Sequence, residues 1–219
     1  MATKPLKKLL VEGTEDQRVI PELIEASGIP WGETKETAIV KIKSYDGIEN
    51  LLDKDVIYTE LEDRGLISLG IIIDADDHPL DRWQSIRNVC LPTITDIPQE
   101  LPDTGLVHSF THNSKDLKFG VWMMPDNKIR GMLETFLEYL IPDTNNYLWD
   151  YSKEVVQEAK IKNAPFKDSY TDKAYIYTWL AWQKTPGRQL HDAIKQKFLV
   201  PTNPKAQIFV NWFKSLYDL

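Results

Sequence analysis

The sequence predicts an α/β protein built on a mostly parallel sheet flanked by helices, with a C-terminal helical extension. Three observations carry this. Leu66 to Ile73 (Leu-Ile-Ser-Leu-Gly-Ile-Ile-Ile) is apolar almost throughout, as a central parallel strand covered on both faces requires. Short apolar runs alternate with stretches of helical periodicity over the first 141 residues. Acidic residues follow the strand-like runs directly: Glu12 after Leu6–Val11, Asp74 and Asp76 after Leu66–Ile73.

Taken in order, Leu6 to Val11 ends in Leu-Leu-Val and reads as a buried strand. Thr14 with Gln17 three residues later has the form of a capping box. Val19, Ile20, Leu23 and Ile24 then recur at helical spacing, although Pro21 interrupts the pattern. Ala38 to Ile42 is a second strand candidate, and Asp46 to Ile57 a helix with Ile48, Leu51, Leu52 and Val56 on one face. After Leu66–Ile73 a helix is expected over Leu80–Val89, with Trp83 and Ile86 inward. Three prolines make Pro92–Pro102 a loop. Leu106–Phe110 and Phe119–Met124 read as two strands joined by a polar turn, and Gly131–Tyr139 as a helix. The order β-α-β-α-β-α-β-β-α follows, spanning residues 1–141 as the α/β core.

Beyond Pro142 the pattern is helical: Asn146–Lys160, Asp172–Trp182, Gly187–Phe198 and Pro204–Leu216. Residues 142–219 thus form an extension, expected to pack on the core through Trp149, Trp179, Trp182 and Trp212.

Composition narrows the class. The 219 residues are 42% apolar and 27% charged, an ordinary globular balance. No apolar run spans a bilayer, and no apolar segment follows the early lysines as a secretory leader would need, so a soluble cytoplasmic protein is expected. The single cysteine, Cys90, excludes an internal disulfide framework or a Cys-rich zinc site and reads as a small buried hydrophobe. The net charge of −7 is unevenly spread. Residues 151–219 carry eleven Lys and Arg against six Asp and Glu, a balance of +5 that leaves −12 for residues 1–150. An acidic part suited to cations therefore precedes a basic part suited either to a polyanion or to a solvated helical surface.

The acids that end strands are the candidate site. Glu12 closes a buried strand, and Gly13 keeps the following turn free of a side chain. Asp74 and Asp76 are two residues apart, so extended backbone turns both carboxylates the same way. Asp126 follows the strand Phe119–Met124, and Glu134 opens the helix beyond it. Ligands of open α/β sheets bind beyond the carboxyl ends of the strands. Carboxylates gathered there repel one another unless a cation is present, and an all-oxygen donor set selects Mg²⁺ or Mn²⁺. Taken singly, each of these acids is equally a helix cap or turn residue. His108 and His112 fall on a strand and form no helical metal pair, and no Gly-x-Ser-x-Gly turn supports a serine triad.

The segment Glu12-Gly13-x-x-Asp16, followed some sixty residues later by Ile71-Ile72-Ile73-Asp74-Ala75-Asp76, resembles the Toprim domain of topoisomerases, primases and OLD-family nucleases. The resemblance covers roughly residues 5–141. It implies that Glu12, Asp74 and Asp76 bind Mg²⁺ (or Mn²⁺) and act on phosphodiesters of DNA or RNA. The similarity to OLD-type nucleases further implies Asp16 and Glu134 as additional metal ligands and a catalytic lysine beyond the core, here Lys173. Asp126 joins the metal set as the acid after the fifth core strand. No Gly-x-x-x-x-Gly-Lys-Ser/Thr pattern occurs, so any ATPase would be a separate protein partner. Gly120-Val-Trp-Met-Met-Pro-Asp-Asn127, Gly131-Met-Leu-Glu134, Asp172-Lys-Ala174 and Thr185-Pro-Gly187 also resemble an uncharacterised Toprim-related family over nearly the whole chain. Two functions are therefore expected to compete: a metal-dependent nuclease, and a non-catalytic Toprim-fold module that binds nucleic acid or protein.

Overall fold

The computed structural model describes residues 5–34 and 36–219. The stretch 1–4, at the head of the segment weighed above as a leader, lies outside them. The chain is mixed α/β. The first half runs β1 (Leu6–Val11), α1 (Thr14–Ala26), β2 (Lys41–Ser44), α2 (Ile48–Leu51), α3 (Val56–Leu61), β3 (Leu66–Asp74), α4 (Pro79–Cys90), β4 (Leu106–His112) and β5 (Lys115–Met124). Helices α5 (Leu133–Leu137), α6 (Asn146–Ile161), α7 (Thr171–Ala181), α8 (Leu190–Lys195) and α9 (Pro204–Tyr217) follow.

The five strands lie in the order β2-β1-β3-β5-β4. Strands β2, β1, β3 and β5 are parallel, and only the hairpin partner β4 runs against β5. In register, Val11 stands beside Ile72 and Asp74 beside Met124. The ends of β1, β3 and β5 therefore reach one edge of the sheet nearly level, which is what places Glu12 beside Asp74.

Alternation along the strands separates two apolar layers. Leu9, Val11, Ile72, Trp122 and Met124 face a cluster shared with α1, α5, α7, α8 and α9. Leu10, Leu69, Ile71, Ile73, Val121 and Met123 face the other, shared with α2, α3 and α4. Trp179, Phe209 and Phe213 of the C-terminal helices belong to the same layer as Leu9 and Trp122. Residues 142–219 thus share a core with the sheet. Helix α9 comes close because β3 and β5 each present a glycine to it. A Cβ on Gly70 would stand 2.4 Å from the Tyr217 hydroxyl, and one on Gly120 would stand 2.6 Å from Leu216. The Tyr217 hydroxyl donates to the Lys8 carbonyl at 2.6 Å, so this buried hydroxyl is satisfied.

Several boundaries differ from the sequence expectation. Helix α1 is capped at Gly13, and Asp16 rather than Gln17 folds back on the cap. Pro21 sits inside this helix without ending it. Strand β2 begins at Lys41 instead of Ala38, because the apolar Ala38–Val40 run packs into the core as a loop, with the Ile39 amide donating to Trp31. The helix expected over Asp46–Ile57 is two, broken where the Asp53 carboxylate accepts from the Asp55 amide and competes with the helical ladder. Helix α8 is shorter than Gly187–Phe198, since Gly187 has φ +80° and cannot belong to it. Trp149, Trp179 and Trp212 are buried as expected, but Trp182 is exposed and stacks on Tyr151 at the surface.

Candidate functional site

The candidate site is assembled at the strand ends. From β1 the chain passes through Glu12 and Gly13 into α1, and the buried Asp16 carboxylate accepts from the Gly13 amide at 3.0 Å. From β3 it passes through Asp74 and Ala75 to Asp76, which takes a left-handed φ of +50°. The Glu12 carboxylate lies 3.5 Å from the Asp74 amide, an outer-limit hydrogen bond. Asp76 forms a backbone bridge with Gly131, its amide donating to the Gly131 carbonyl at 3.0 Å and its carbonyl accepting in return at 2.9 Å. This bridge brings the start of α5 over the end of β3. The Leu133 amide then donates to Asp74 Oδ1 at 3.0 Å. Glu134, 2% exposed, points inward and is ion-paired with Lys173 from the first turn of α7. Asp76 is ion-paired with Arg82 of α4.

Electrostatics bind these residues into one group. Loss of water raises Asp74 well above the usual carboxylate range, and the charges of Asp16, Glu12, Glu134 and Asp76 raise it further. Asp16 is pushed up to about 7, first by burial, against the Gly13 amide that lowers it, with Glu12 and Glu134 adding. Glu12 is raised mainly by burial and also by Asp76, while the Asp74 amide, Arg82 and Lys173 pull it down. Lys173 loses water, which would lower it, yet Glu134 and Asp74 hold it above its ordinary value. Five acids, Glu12, Asp16, Asp74, Asp76 and Glu134, therefore share one field with two cations, Lys173 and Arg82.

Asp126 is placed otherwise. It accepts from the Lys128 and Ile129 amides at 3.3 and 3.1 Å, and from the Tyr139 hydroxyl at 3.0 Å. It closes the turn after β5 and is not among the leading charges acting on Asp74. His108 and His112 lie on one face of the edge strand β4, as their spacing requires, bonded to Asp96 and Glu62.

As they stand, no three His, Cys, Asp or Glu side chains among the described residues are arranged to hold a metal ion. The hydrogen bonds explain this. Asp74 is turned to Leu133, Asp16 to Gly13, Glu134 to Lys173 and Asp76 to Arg82, so each acid faces its own partner. The donor chemistry nevertheless suits a hard divalent cation, being carboxylate oxygen throughout. Metal binding would require these side chains to rotate away from their present partners.

A cleft of about 1150 Å³ opens beside the acids. Asp76, Met132, Thr135 and Asp172 line it, and Asp77, Arg130, Lys160, Phe166, Asp168 and Tyr175 are among its other lining residues, Arg130 paired with Asp77 and Lys160 with Asp168. Lys160 lies over the Phe166 ring at 4.6 Å. Arg82 and Thr135 were not legible as site residues. The available signal for Arg82 was its place near the start of a helix that follows Asp76 at once. Thr135 carried none beyond adjacency to Glu134.

Residues 6–218 match the model of a family described as "Protein of unknown function (DUF3226)", and the chain belongs to that family. No curated protein and no solved structure matches it. Among the described residues, no helix is long and apolar enough to cross a membrane.

Proposed function

We propose that this DUF3226 member is a Mg²⁺- or Mn²⁺-dependent nuclease of Toprim type, acting on phosphodiesters of nucleic acid. The observation that carries the reading is Asp74, one carboxylate opposed by four others that arrive from three separate segments of chain. Such a concentration of like charge at the carboxyl edge of a parallel sheet is costly to the fold and is relieved by a cation. Glu12, Asp74 and Asp76 would hold the ion, with Asp16 and Glu134 behind them. When bound, a divalent cation supplies Lewis-acid polarisation of a phosphoryl oxygen and an activated water.

The chain's own residues do the rest. Lys173, released from Glu134, neutralises charge that develops on the phosphate. Arg82, released from Asp76, is a second cation at the same place. The adjacent cleft would receive the nucleic-acid backbone on Arg130 and Lys160 once these turn from Asp77 and Asp168, with Phe166 and Tyr175 as aromatic neighbours for unpaired bases. A separate ATPase or another protein partner is compatible with this reading, because the chain carries no phosphate-binding loop of its own.

One observation favours a second reading. Glu134 and Asp76 already have cationic partners, and the acids are not arranged as a ready ligand set. A non-catalytic Toprim-fold module would look the same. Purified protein incubated with plasmid, single-stranded DNA and RNA in Mg²⁺ and in Mn²⁺, beside Asp74→Ala, separates the two. The nuclease reading expects cleavage by the parent that disappears in the variant. Absence of cleavage on all three substrates, with nucleic-acid binding unchanged in the variant, supports the module instead.

A further inference from the structure

Helix α7 reaches the acid cluster through a second contact besides Lys173. The Thr135 hydroxyl accepts from the Met132 amide at 3.0 Å and donates to the carboxylate of Asp172, the neighbour of Lys173. A hydroxyl has one proton to give and lone pairs to receive, so this single group serves both bonds at once. Met132 directly follows Gly131, whose backbone is bridged to Asp76, and directly precedes Leu133, whose amide holds Asp74. The packing at this corner is tight: a Cβ on Gly131 would stand 2.6 Å from Thr135 Oγ1, and Gly131 has φ +144°. Thr135 thus occupies the space that only glycine at position 131 leaves open.

We infer that Thr135 and Asp172 are positioning residues: a latch by which helix α7 fixes the 131–133 backbone, and through it sets the orientation of Asp74 and Asp76. Neither residue is among the acids proposed to hold the metal; both act on the site through the 131–133 backbone. The chain of contacts runs Asp172, Thr135, Met132, and from there by adjacency to Gly131 with Asp76 on one side and Leu133 with Asp74 on the other. The helical extension is then part of the site's precision. Both residues line the cleft beside Asp76. The metal arm of this inference rests on the reading of the acids as a metal site; the backbone arm does not.

The full-length chain carries the test as parent, Thr135→Val, Thr135→Ser and Asp172→Ala. Two quantities are measured: Mn²⁺ affinity by titration calorimetry, and hydrogen exchange of the Asp76 and Gly131 amides in EDTA. Valine matches threonine in shape but can neither accept nor donate, whereas serine does both. The latch predicts that Thr135→Val and Asp172→Ala weaken Mn²⁺ binding about tenfold, the scale at which outer-shell partners act. It predicts faster exchange at Asp76 and Gly131, whose own bonds the substitutions leave in place, and it predicts that Thr135→Ser keeps both properties of the parent. Unchanged exchange in Thr135→Val overturns the latch, as does a serine variant that behaves like valine, or faster exchange with Mn²⁺ affinity intact. If the parent binds no Mn²⁺, the metal reading falls on its own. Exchange then decides the latch alone, faster exchange upholding it and unchanged exchange overturning it.

Discussion

Lys173 Nζ is bonded to Oε1 of Glu134, a carboxylate 2% exposed and thirty-nine residues earlier in the chain. The pair ties α7 to the start of α5 and gives the buried acid a cationic partner. Removing that cation while the acid remains strands a buried charge. Lys173→Met is therefore expected to lose about 2 kcal/mol of stability, less than for a fully buried pair because the lysine side chain is half-exposed to screening water. Adding Glu134→Gln should restore most of the loss. Urea denaturation of the four proteins in the double-mutant cycle checks this, and a Lys173→Met loss that Glu134→Gln does not relieve would show that the charge pair is not the cause.

Asp74 supplies the opposite case. Its raised proton affinity means that the charged form costs the folded state. Asp74→Asn keeps an oxygen to accept from the Leu133 amide and removes the charge. In EDTA this variant is expected to melt above the parent, by roughly 2–4 °C for each kcal/mol of repulsion relieved in a chain of this size. Divalent cation should raise the parent's melting temperature and leave the variant's unmoved. Differential scanning calorimetry with and without Mn²⁺ reads both. A variant that melts below the parent in EDTA would mean that Asp74 is structural.

Glu60 provides a pH dependence away from the site. It is buried between Lys8, Lys43 and Tyr45, with Lys43 Nζ and the Tyr45 hydroxyl each at 2.6 Å. Burial alone would raise it, but the hydrogen bonds from Lys43, Lys8 and Tyr45 prevail and hold it down at about 2. An acid depressed in the fold contributes stability that is complete above its unfolded pKa of about 4.5 and is lost as pH falls toward 2. The contribution is on the order of 3 kcal/mol. Glu60→Gln should be less stable at pH 7 and should lose less between pH 4.5 and 2. Parallel denaturant midpoints for parent and variant across that window should converge at the acid end. Curves that stay parallel would remove Glu60 from the acid response.

The glycines beneath α9 give a packing prediction. Gly70→Ala would place its methyl group against the Tyr217 hydroxyl in a fully buried position, and such overpacking typically costs about 1–3 kcal/mol. The expected result is a lowered guanidinium midpoint with an unchanged slope. Equal midpoints would show that α9 can shift outward at no cost.

Much of this was readable from residue order, and the remainder was not for identifiable reasons. The central strand was clear because burial on both faces leaves an unbroken apolar run at Leu69–Ile73. The nearness of Glu12 and Asp74 was legible because parallel neighbours end at a common edge. Asp76, by contrast, does not continue the extended backbone expected of Asp-x-Asp: β3 ends at Asp74, and the left-handed turn at Asp76 carries its carboxylate to Arg82. Strand β2 was misplaced because it is an edge strand whose Lys-Ile-Lys-Ser sequence is half polar, while the more apolar Ala38–Val40 serves the core as a loop. The present pairing of Asp76 with Arg82, and the use of Asp126 as a turn closure, depend on side-chain directions that spacing does not encode. The Thr135–Asp172 contact joins residues thirty-seven apart and carries no periodic signature.

Asp74 and Glu12 are proposed to hold a divalent cation at the edge of the sheet. Anomalous diffraction from a crystal of the parent soaked in Mn²⁺ tests it most directly. The expected result is a peak at about 2 Å from carboxylate oxygens of both residues, with Lys173 or Arg82 turned from its present acid. A Mn²⁺-soaked crystal with no peak at these carboxylates, and with both ion pairs intact, would contradict it.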